Sequence, residues 1–515
     1  MGGNHPQPRR NSMFYGAMLL TLGSIALRFV QMIFQVYISG VMGASGLGRM
    51  QLIMTVGNFA AILASGGVRI AVTCLAAEEA GRDNASGVRT AVRCCALYGL
   101  ILSTLVALAL YTTAGFFAEH FLDDATASLP LRILAAFLPI NCLWAVLAGY
   151  FTAAGRITEL VGLEFFERIA SIGLVVLLLR TGSHGLDACS VIFLGSSLAT
   201  AASFLLLLIR YGKSIRYVAP QPFRPMLLRL LKLTVPLGFN DILRSGLSAL
   251  ENMLVPKGLR RSGSSGEEAL SSYGTICGMV FPVITFPSVI LYSLSDLLVP
   301  EMARCRAKER GERIRFLTDK CLRLTLLFAV ATAGLCFLLG DELGLLLFGS
   351  QEAGVYIRIF APLIVILYLD AITDGMLKGL SQQLHSVRYN TITSILDVGM
   401  LWFLLPRYGI GGFLAAFTVS HALNFYMSLR RLIIVTGYLP RFRATFQSAL
   451  CCGICLLLMP LLPLSGDVWG TLLRGMCFLL TYLALARFTG ALSSADIAWL
   501  GSLITQKNAP RRSHS

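Results

Sequence analysis

Long apolar runs dominate the pattern of hydrophobic and polar positions along this chain. A helix that crosses a lipid bilayer needs about 20 mostly apolar residues, and fourteen runs meet or approach that length. We number them spans 1 to 14: 13–41, 49–76, 88–113, 129–153, 160–180, 186–209, 227–254, 273–300, 318–339, 356–380, 388–405, 410–433, 446–463 and 468–488. The predicted fold is therefore an all-α polytopic membrane protein.

The composition supports a membrane protein and excludes several other classes. Of 515 residues, 56% are hydrophobic and 14% are charged, whereas soluble domains carry about 25% charged residues. These values exclude an ordinary soluble enzyme, a disordered chain and a small disulfide-bonded scaffold. The net charge of +16 does not indicate nucleic-acid binding, because basic residues collect in the cytoplasmic loops of membrane proteins.

The positions of Lys and Arg predict the orientation. Placing the N-terminus in the cytoplasm puts most of the 43 Lys and Arg residues in inside segments, including the dense groups within 210–232 and 304–323. Outside segments are short and carry few of them. An even number of spans agrees, so we expect both termini to be cytoplasmic.

A weak internal repeat appears when the chain is shifted against itself by 226 residues. Gly48 then falls on Gly274, Gly149 on Gly375, and Arg132 on Arg358. The predicted organisation is an N-terminal lobe at 1–209 with spans 1–6, a basic linker at 210–226, a C-terminal lobe at 227–433 with spans 7–12, and spans 13–14 with a basic tail at 434–515. Chance similarity between apolar helices is the alternative. Transporters with parallel repeats place the substrate path between the two halves.

Two arginines inside spans are candidate substrate-binding residues. Arg28 lies in the middle of span 1, and Arg69 follows Gly66-Gly67 in span 2. A charge within a span normally faces a cavity or a partner. Arg28 and Arg69 are predicted to line a cavity for an anionic substrate, since a guanidinium binds two phosphate oxygens at once. The alternative is a structural pair with an acid on a neighbouring helix.

Four acids inside spans are candidate cavity or ion-coupling groups: Glu251, Asp370, Asp374 and Asp397. Asp370 and Asp374 share one helical face with Lys378, so an internal ion pair is an equal alternative for them. Near the start of span 5, Glu164 and Arg168 are predicted to pair with each other. No metal site or cofactor is predicted.

Span 8 carries Pro282 and Pro287, and proline removes a helical hydrogen bond. We interpret this span as a moving, gating element, with a static kink as the alternative. The cluster Cys451, Cys452 and Cys455 lies in an apolar run without His or carboxylate neighbours. It is predicted to pack helices and not to bind metal.

Several motifs resemble those of the stage V sporulation protein B family. They are Gly43-Ala-Ser-Gly-Leu-Gly-Arg-Met-Gln-Leu, Ala64-Ser-Gly-Gly-Val-Arg-Ile-Ala-Val-Thr, Leu254-Val-Pro-Lys-Gly-Leu and Leu298-Val-Pro-Glu. The wider superfamily joins multidrug, oligosaccharidyl-lipid and polysaccharide exporters. The resemblance implies fourteen helices in two lobes around a cavity, and movement of a polyprenyl-diphosphate-linked sugar across the bacterial inner membrane. It also implies a role for Arg28 like that of the first-helix Arg of the lipid II flippase. Span 8 departs from that flippase in having no Arg or Lys.

The leading functional hypothesis is a flippase for a lipid-linked oligosaccharide, either a lipid II-like peptidoglycan precursor or another surface glycan. Its expected partners are that substrate, membrane lipids, H⁺ or Na⁺, and a cell-wall synthase. The first alternative is a cation-coupled multidrug exporter. The second is a membrane glycosyltransferase or ligase that uses the outside acids Glu119, Asp123 and Asp124.

Overall fold

The computed structural model describes residues 10–181, 186–214, 222–439, 442–461 and 467–499 except 495 and 497. All regular structure in these ranges is helical. The chain forms two compact units, one of Met1–Gly278 with Leu401–Gly409, and one of Met279–Met400 with Ile410–Ser515. The lobe boundaries at 209 and 226 remain a prediction.

The first unit contains eight of the helices found in the described residues. They are α1 (Arg10–Ser65), α2 (Val68–Gly81), α3 (Ala85–His120), α4 (Ser128–Ala153), α5 (Ile157–Arg180), α6 (Ala188–Ser214), α7 (Phe223–Arg261) and α8 (Gly266–Gly274). The second unit begins within the irregular segment that follows α8. Its helices are α9 (Phe281–Thr285), α10 (Val289–Ala307), α11 (Gly311–Leu338), α12 (Gly340–Phe348), α13 (Gln351–Phe360), α14 (Leu363–Gly379), α15 (Gln383–Tyr408), α16 (Ile410–Thr436), α17 (Phe442–Leu458) and α18 (Val468–Phe488). The end of α15, from Leu401 onward, belongs to the first unit.

Each predicted span falls on a helix or on a set of consecutive helices. In the described part of the chain, eight helices are long and apolar enough to cross a membrane, or nine if the bent pair α13–α14 is one span. The all-helical membrane fold is confirmed. The number fourteen remains a prediction, because several of the predicted helices carry more charge or are shorter.

The predicted break between spans 1 and 2 is present, and span 2 has a further break. Two helical segments meet within α1 at Gly43, whose φ of 68° and ψ of −177° are not helical. A second break follows at Gly66 and Gly67, with φ of 47° and 74°. Glycine adopts this left-handed backbone without a steric penalty, so the pair ends α1 and starts α2.

Spans 8 and 10 are broken at prolines. Along span 8 the backbone changes from α8 to a π-helical segment at Thr275–Val280, then to α9, a 3₁₀ turn at Phe286–Ser288, and α10. Pro282 and Pro287 lie in the first turn of α9 and in the 3₁₀ turn. Span 10 bends by 57° between α13 and α14, next to Pro362. The bends follow from the missing N–H groups; gating by span 8 remains a prediction.

The crossing of α1 and α8 has the symmetry that the 226-residue repeat requires. A Cβ atom added at Gly48 would overlap the carbonyl oxygen of Leu270, and one added at Gly274 would overlap that of Ala44. The same offset relates Gly48 to Gly274 and Ala44 to Leu270. Each glycine is therefore needed for close backbone approach at an equivalent position, as in small-residue helix packing in membranes.

Gly149 and Gly375, which the 226-residue offset also relates, each allow a close helix contact within their own unit. A Cβ at Gly149 of α4 would lie 2.7 Å from the carbonyl oxygen of Arg69 on α2, and one at Gly375 of α14 would overlap Ser295 of α10. The offset relates Arg69 to Ser295. These contacts support the repeat, which as a whole remains a prediction.

The cysteine cluster packs helices, as the sequence predicts. Cys451, Cys452 and Cys455 of α17 are buried in an apolar core with Leu327 of α11 and Phe478 of α18. These thiols serve as small apolar side chains that allow close helix packing. This core joins α17 and α18 to the rest of the second unit.

Candidate functional site

The two predicted substrate-binding arginines both lie in the first unit, in different surroundings. Arg28 is exposed on the N-terminal half of α1. Arg69, in the first turn of α2, has its Nη2 3.3 Å from Oε1 of Glu164 on α5. Its guanidinium also lies 5.6 Å from the ring centre of Trp144. Glu164 therefore pairs with Arg69, and the predicted partner Arg168 was wrong because the tertiary contact replaces the local one.

Arginines at both ends of α7 join this helix to the preceding helices. Near its start, Arg229 donates to Glu79 at 2.5 Å and to Glu78 at 2.6 Å, both on α2. Near its end, Arg260 lies 2.8 Å from Asp123. The carboxylate of Glu79 is almost fully buried. Sequence reasoning missed these pairs, because it counted the arginines only as loop charges.

Two of the three outside acids of the ligase hypothesis, Asp123 and Asp124, are engaged in ion pairs. Asp123 pairs with Arg260, and Asp124 lies 2.6 Å from Arg49. Asp124 also caps the following 3₁₀ turn by accepting from the backbone N–H of Thr126 at 3.0 Å. These contacts give the two aspartates structural roles. Glu251, the predicted acid of the first unit, is half-buried on α7.

Asp370 belongs to a polar cluster between three helices of the second unit. The side-chain amide of Asn424 on α16 donates to Asp370 Oδ2 of α14 at 2.9 Å and to Asn390 Oδ1 of α15 at 3.2 Å. Asp370 Oδ1 and Asn424 Oδ1 are buried, and neither has a hydrogen-bond partner among the described residues. The cluster thus presents buried oxygens that could bind a proton or a small cation.

The structure connects Asp374 to this cluster through α15. Lys378 Nζ lies 2.7 Å from Asp374 Oδ2, as the helical spacing predicts. The other carboxylate oxygen accepts from the hydroxyl of Ser386, whose backbone carbonyl accepts from Asn390 at 3.0 Å. Asp374 is thus already neutralised by a cation one turn away, whereas Asp370 forms no ion pair among the described residues.

Asp397 lies apart from these residues in the chain, on the middle of α15. It is 7% exposed, and its Oδ1 is buried without a hydrogen-bond partner in the described ranges. Sequence reasoning correctly placed it inside the helix bundle. Its use as a coupling group remains a prediction.

The second unit contains a buried cluster of charged residues that was not predicted from the sequence. Asp496, fully buried, contacts both Lys320 and Arg323 of α11. Its Oδ2 also accepts from the backbone N–H of Ser493 at 2.8 Å. At the other end of α18, Arg474 lies 2.5 Å from Glu342 of α12. Ion pairs therefore fasten α18 and its following segment at both ends.

The amino-acid sequence is similar to that of known proteins of polysaccharide biosynthesis and sporulation. Residues 14–254 match the family model described as polysaccharide biosynthesis protein. The chain is 23% identical over 412 residues to stage V sporulation protein B of Bacillus subtilis (strain 168), an alignment that covers 78% of this chain and 79% of the relative. The resemblance seen in the sequence motifs is confirmed.

Solved structures give the fold. Lipid II flippase MurJ in an inward closed conformation matches with a TM-score of 0.69 and 13% identity, over 91% of this chain and 98% of that one. The chain therefore shares the fold of that flippase. An inward-facing multidrug resistance transporter of the MATE family and MOP superfamily matches with a TM-score of 0.64 and 14% identity, over 80% of this chain and 96% of that one.

The eight or nine helices of the described residues that are long and apolar enough to cross a membrane, together with this fold, make the chain a multi-pass membrane protein. The two solved structures are of a flippase and a transporter, not of enzymes. In this chain, the ion pairs of Asp123 with Arg260 and of Asp124 with Arg49 argue against these two acids as catalytic groups of a glycosyltransferase or ligase.

Proposed function

We propose that this protein is a flippase that moves a polyprenyl-diphosphate-linked oligosaccharide from the cytoplasmic to the outer leaflet of the bacterial inner membrane. The observation that carries the proposal is that one chain combines a polysaccharide biosynthesis match with a lipid II flippase fold along 91% of its length. The substrate is a lipid II-like precursor or another surface glycan. Both termini are cytoplasmic in this proposal, and a cell-wall synthase uses the product.

Arg28 and Arg69 are the cations that we propose for the diphosphate. A guanidinium presents paired N–H donors that match phosphate oxygens, and it stays charged in any surroundings. Arg28 is exposed on α1. Arg69 pairs with Glu164, so a diphosphate must compete with that carboxylate for the same guanidinium. The charge of Arg69 would be balanced by Glu164 when the site is empty and by the diphosphate when substrate is bound. The arginine would then have an anionic partner in both states of an alternating-access cycle.

The polar cluster around Asp370 is the site that we propose for ion coupling. Its supporting features are the buried, unsatisfied oxygens of Asp370 and Asn424, because a proton or Na⁺ would satisfy them. Asp374, with Lys378 beside it, and Asp397 and Glu251 are secondary candidates. Binding and release of the ion would favour different conformations of the bent helices, including the segment with Pro282 and Pro287.

A cation-coupled multidrug exporter is the second candidate function. The match to a multidrug resistance transporter, with a TM-score of 0.64, favours it, and the same buried acids would couple drug export to H⁺ or Na⁺. The two candidates differ in substrate: a flippase carries a lipid-linked diphosphate, while an exporter carries free amphiphilic drugs. Unchanged drug susceptibility on deletion and overexpression would argue against export.

Rescue of a bacterium depleted of its lipid II flippase tests the proposed function in cells. We expect the wild-type protein to restore growth, and the Arg28→Ala variant to fail at equal abundance in the membrane. Arg180→Ala, on an exposed arginine at the end of α5, is the matched control and is expected to rescue. Failure of the wild-type protein, with normal membrane insertion, would contradict a lipid II-like substrate. Rescue by Arg28→Ala would remove Arg28 from the mechanism.

A further inference from the structure

A cavity of about 600 Å³ lies within the second unit. Its volume falls in the range of roughly 300–1,000 Å³ that is typical of ligand sites. It is bounded by α11, α14 and α16, by the start of α17 and by the residues after α18. None of the residues assigned to transport above lines it.

The walls of the cavity are aliphatic and aromatic. Leu322 and Leu326 lie one turn apart on α11, and Val365, Ile366 and Leu369 face them from α14. Phe425 and Leu429 of α16 complete the lining. A hydrocarbon chain would therefore find apolar contacts on several sides.

Several polar residues of the cavity lie at helix ends: Arg443 comes from the first turn of α17, and Thr489 and Gly490 follow α18. Asp319 and Arg323 lie further along α11, within the first two turns of the predicted span 9. The amide of Gln447 closes this end by donating to the carbonyl oxygen of Thr489 at 2.6 Å. The Lys and Arg distribution predicts that this end faces the cytoplasm, at the depth where lipid headgroups lie.

Two guanidinium groups, those of Arg323 and Arg443, line this end of the cavity. Arg443 is exposed and forms no ion pair with any other residue that the structure describes. Arg323 contacts Asp496 through Nη2, while its Nε is buried without a hydrogen-bond partner in the described ranges. Lys320 and Arg323 share the carboxylate of Asp496, while Asp319 and Arg443 line the same cavity. Among these five side chains, three cations stand against two carboxylates, so positive charge exceeds negative charge by one.

We infer that this cavity binds one anionic glycerophospholipid, with an acyl chain between α11, α14 and α16 and its phosphodiester at Arg323 and Arg443. A phosphodiester carries one negative charge and matches the excess at the mouth. A diphosphate carries more negative charge and would meet Asp319 and Asp496. The bound lipid would stabilise the contact of α17 and α18 with α11, since it touches residues from all of these segments.

Native mass spectrometry of the purified full-length protein tests this site without any transport assay. We expect saturable retention of one phosphatidylglycerol, and weaker retention by about tenfold in Arg443→Gln, the effect of one lost charge-assisted contact. Val365→Phe, which fills the cavity and leaves the charges unchanged, should also weaken retention. Arg388→Gln, on an exposed arginine of α15 outside the cavity, should change it by less than about twofold.

Three results would overturn the inference. Equal retention of phosphatidylethanolamine would remove the charge argument. An equal loss in Arg388→Gln would mean general surface attraction. Displacement of phosphatidylglycerol by a polyprenyl phosphate at similar concentration would assign the cavity to the lipid-linked substrate class. Because the readout is binding alone, its failure leaves the flippase proposal untouched.

Discussion

Asp496 is the residue whose loss should cost the most stability. It is fully buried and contacts both Lys320, which is nearly buried, and Arg323. Asp496→Asn would leave these two cations without their carboxylate. Breaking a buried ion pair from one side costs about 3–5 kcal/mol, so we expect a clear fall in the thermal unfolding temperature of the purified protein. Glu312→Gln is the control: it lies on the exposed first turn of α11, the helix that carries Lys320 and Arg323. It should lower the free energy of unfolding by under about 1 kcal/mol.

The loss of stability in Asp496→Asn should depend on pH, because the carboxylate of Asp496 titrates. Burial alone would raise the pKa of Asp496, but the hydrogen bonds from Lys320 and Ser493 outweigh it and hold the pKa below its usual value. A lowered pKa means that the carboxylate stabilises the fold above the pKa of the unfolded state, and that this contribution is lost as the pH falls through the lowered value. The difference between wild type and Asp496→Asn should therefore be largest near neutral pH and shrink below about pH 4. A difference that is constant with pH would contradict this explanation.

Asp370 should affect transport far more than stability. Its Oδ1 is buried without a hydrogen-bond partner in the described residues, where it could hold a coupling ion. Asp370→Asn removes the negative charge and keeps the shape of the side chain. We expect ion-driven lipid transport in liposomes to slow by about tenfold or more, the effect of about 1.4 kcal/mol of lost ion binding. Asp341→Asn, which changes an exposed carboxylate paired with Arg358, is the control. Equal transport in both variants would remove Asp370 from coupling.

At the scale of single elements, the crossing of α1 and α8 depends on two glycines. A methyl group at Gly48 or Gly274 would overlap the carbonyl oxygen of Leu270 or Ala44, and the backbones must separate to admit it. Overpacking of this kind costs about 1–3 kcal/mol. We expect Gly48→Ala and Gly274→Ala to destabilise the purified protein by similar amounts, as measured by thermal unfolding.

Gly40 of α1 supplies the control for these two variants. A Cβ there meets nothing within 4 Å, so Gly40→Ala should be neutral or stabilise the helix by about 0.5–1 kcal/mol. Equal effects at Gly40 and Gly274 would mean that the crossing is looser than described. Strongly unequal effects at Gly48 and Gly274 would weaken the symmetry of the repeat.

Apolar length predicted the helices well, because a run long enough to span a bilayer has few other stable conformations. Breaks were harder to predict. The break at Gly43 and the opening at Gly66-Gly67 were both recognised from the sequence, but at Gly43 the two helical segments meet directly, without the loop expected between 41 and 49. The bend at Pro362 and the short helix α12 were not predicted. Local sequence indicates where a helix can break, while packing decides whether it does.

At the scale of the whole molecule, composition and motifs were sufficient to predict the membrane fold and the family resemblance. The partners of charged groups were not predictable in the same way. Arg69 pairs with Glu164, and Arg229 with Glu78 and Glu79, across 95, 151 and 150 positions. Pattern analysis detects pairs three or four residues apart. Pairs between distant segments depend on the tertiary packing, so the candidate residues were found but their contacts were not.

The central claim is movement of a lipid-linked diphosphate sugar, and a liposome assay tests it most directly. Purified protein would be reconstituted with a fluorescent polyprenyl-diphosphate sugar, and the inner-leaflet probe would be followed by its exposure to a quencher added outside. We predict that wild-type protein exposes inner-leaflet probe faster than protein-free liposomes do, that Arg28→Ala slows this exposure, and that a fluorescent phosphatidylcholine is not moved. Exposure no faster than in protein-free liposomes, under an imposed H⁺ or Na⁺ gradient of either direction, would contradict the account.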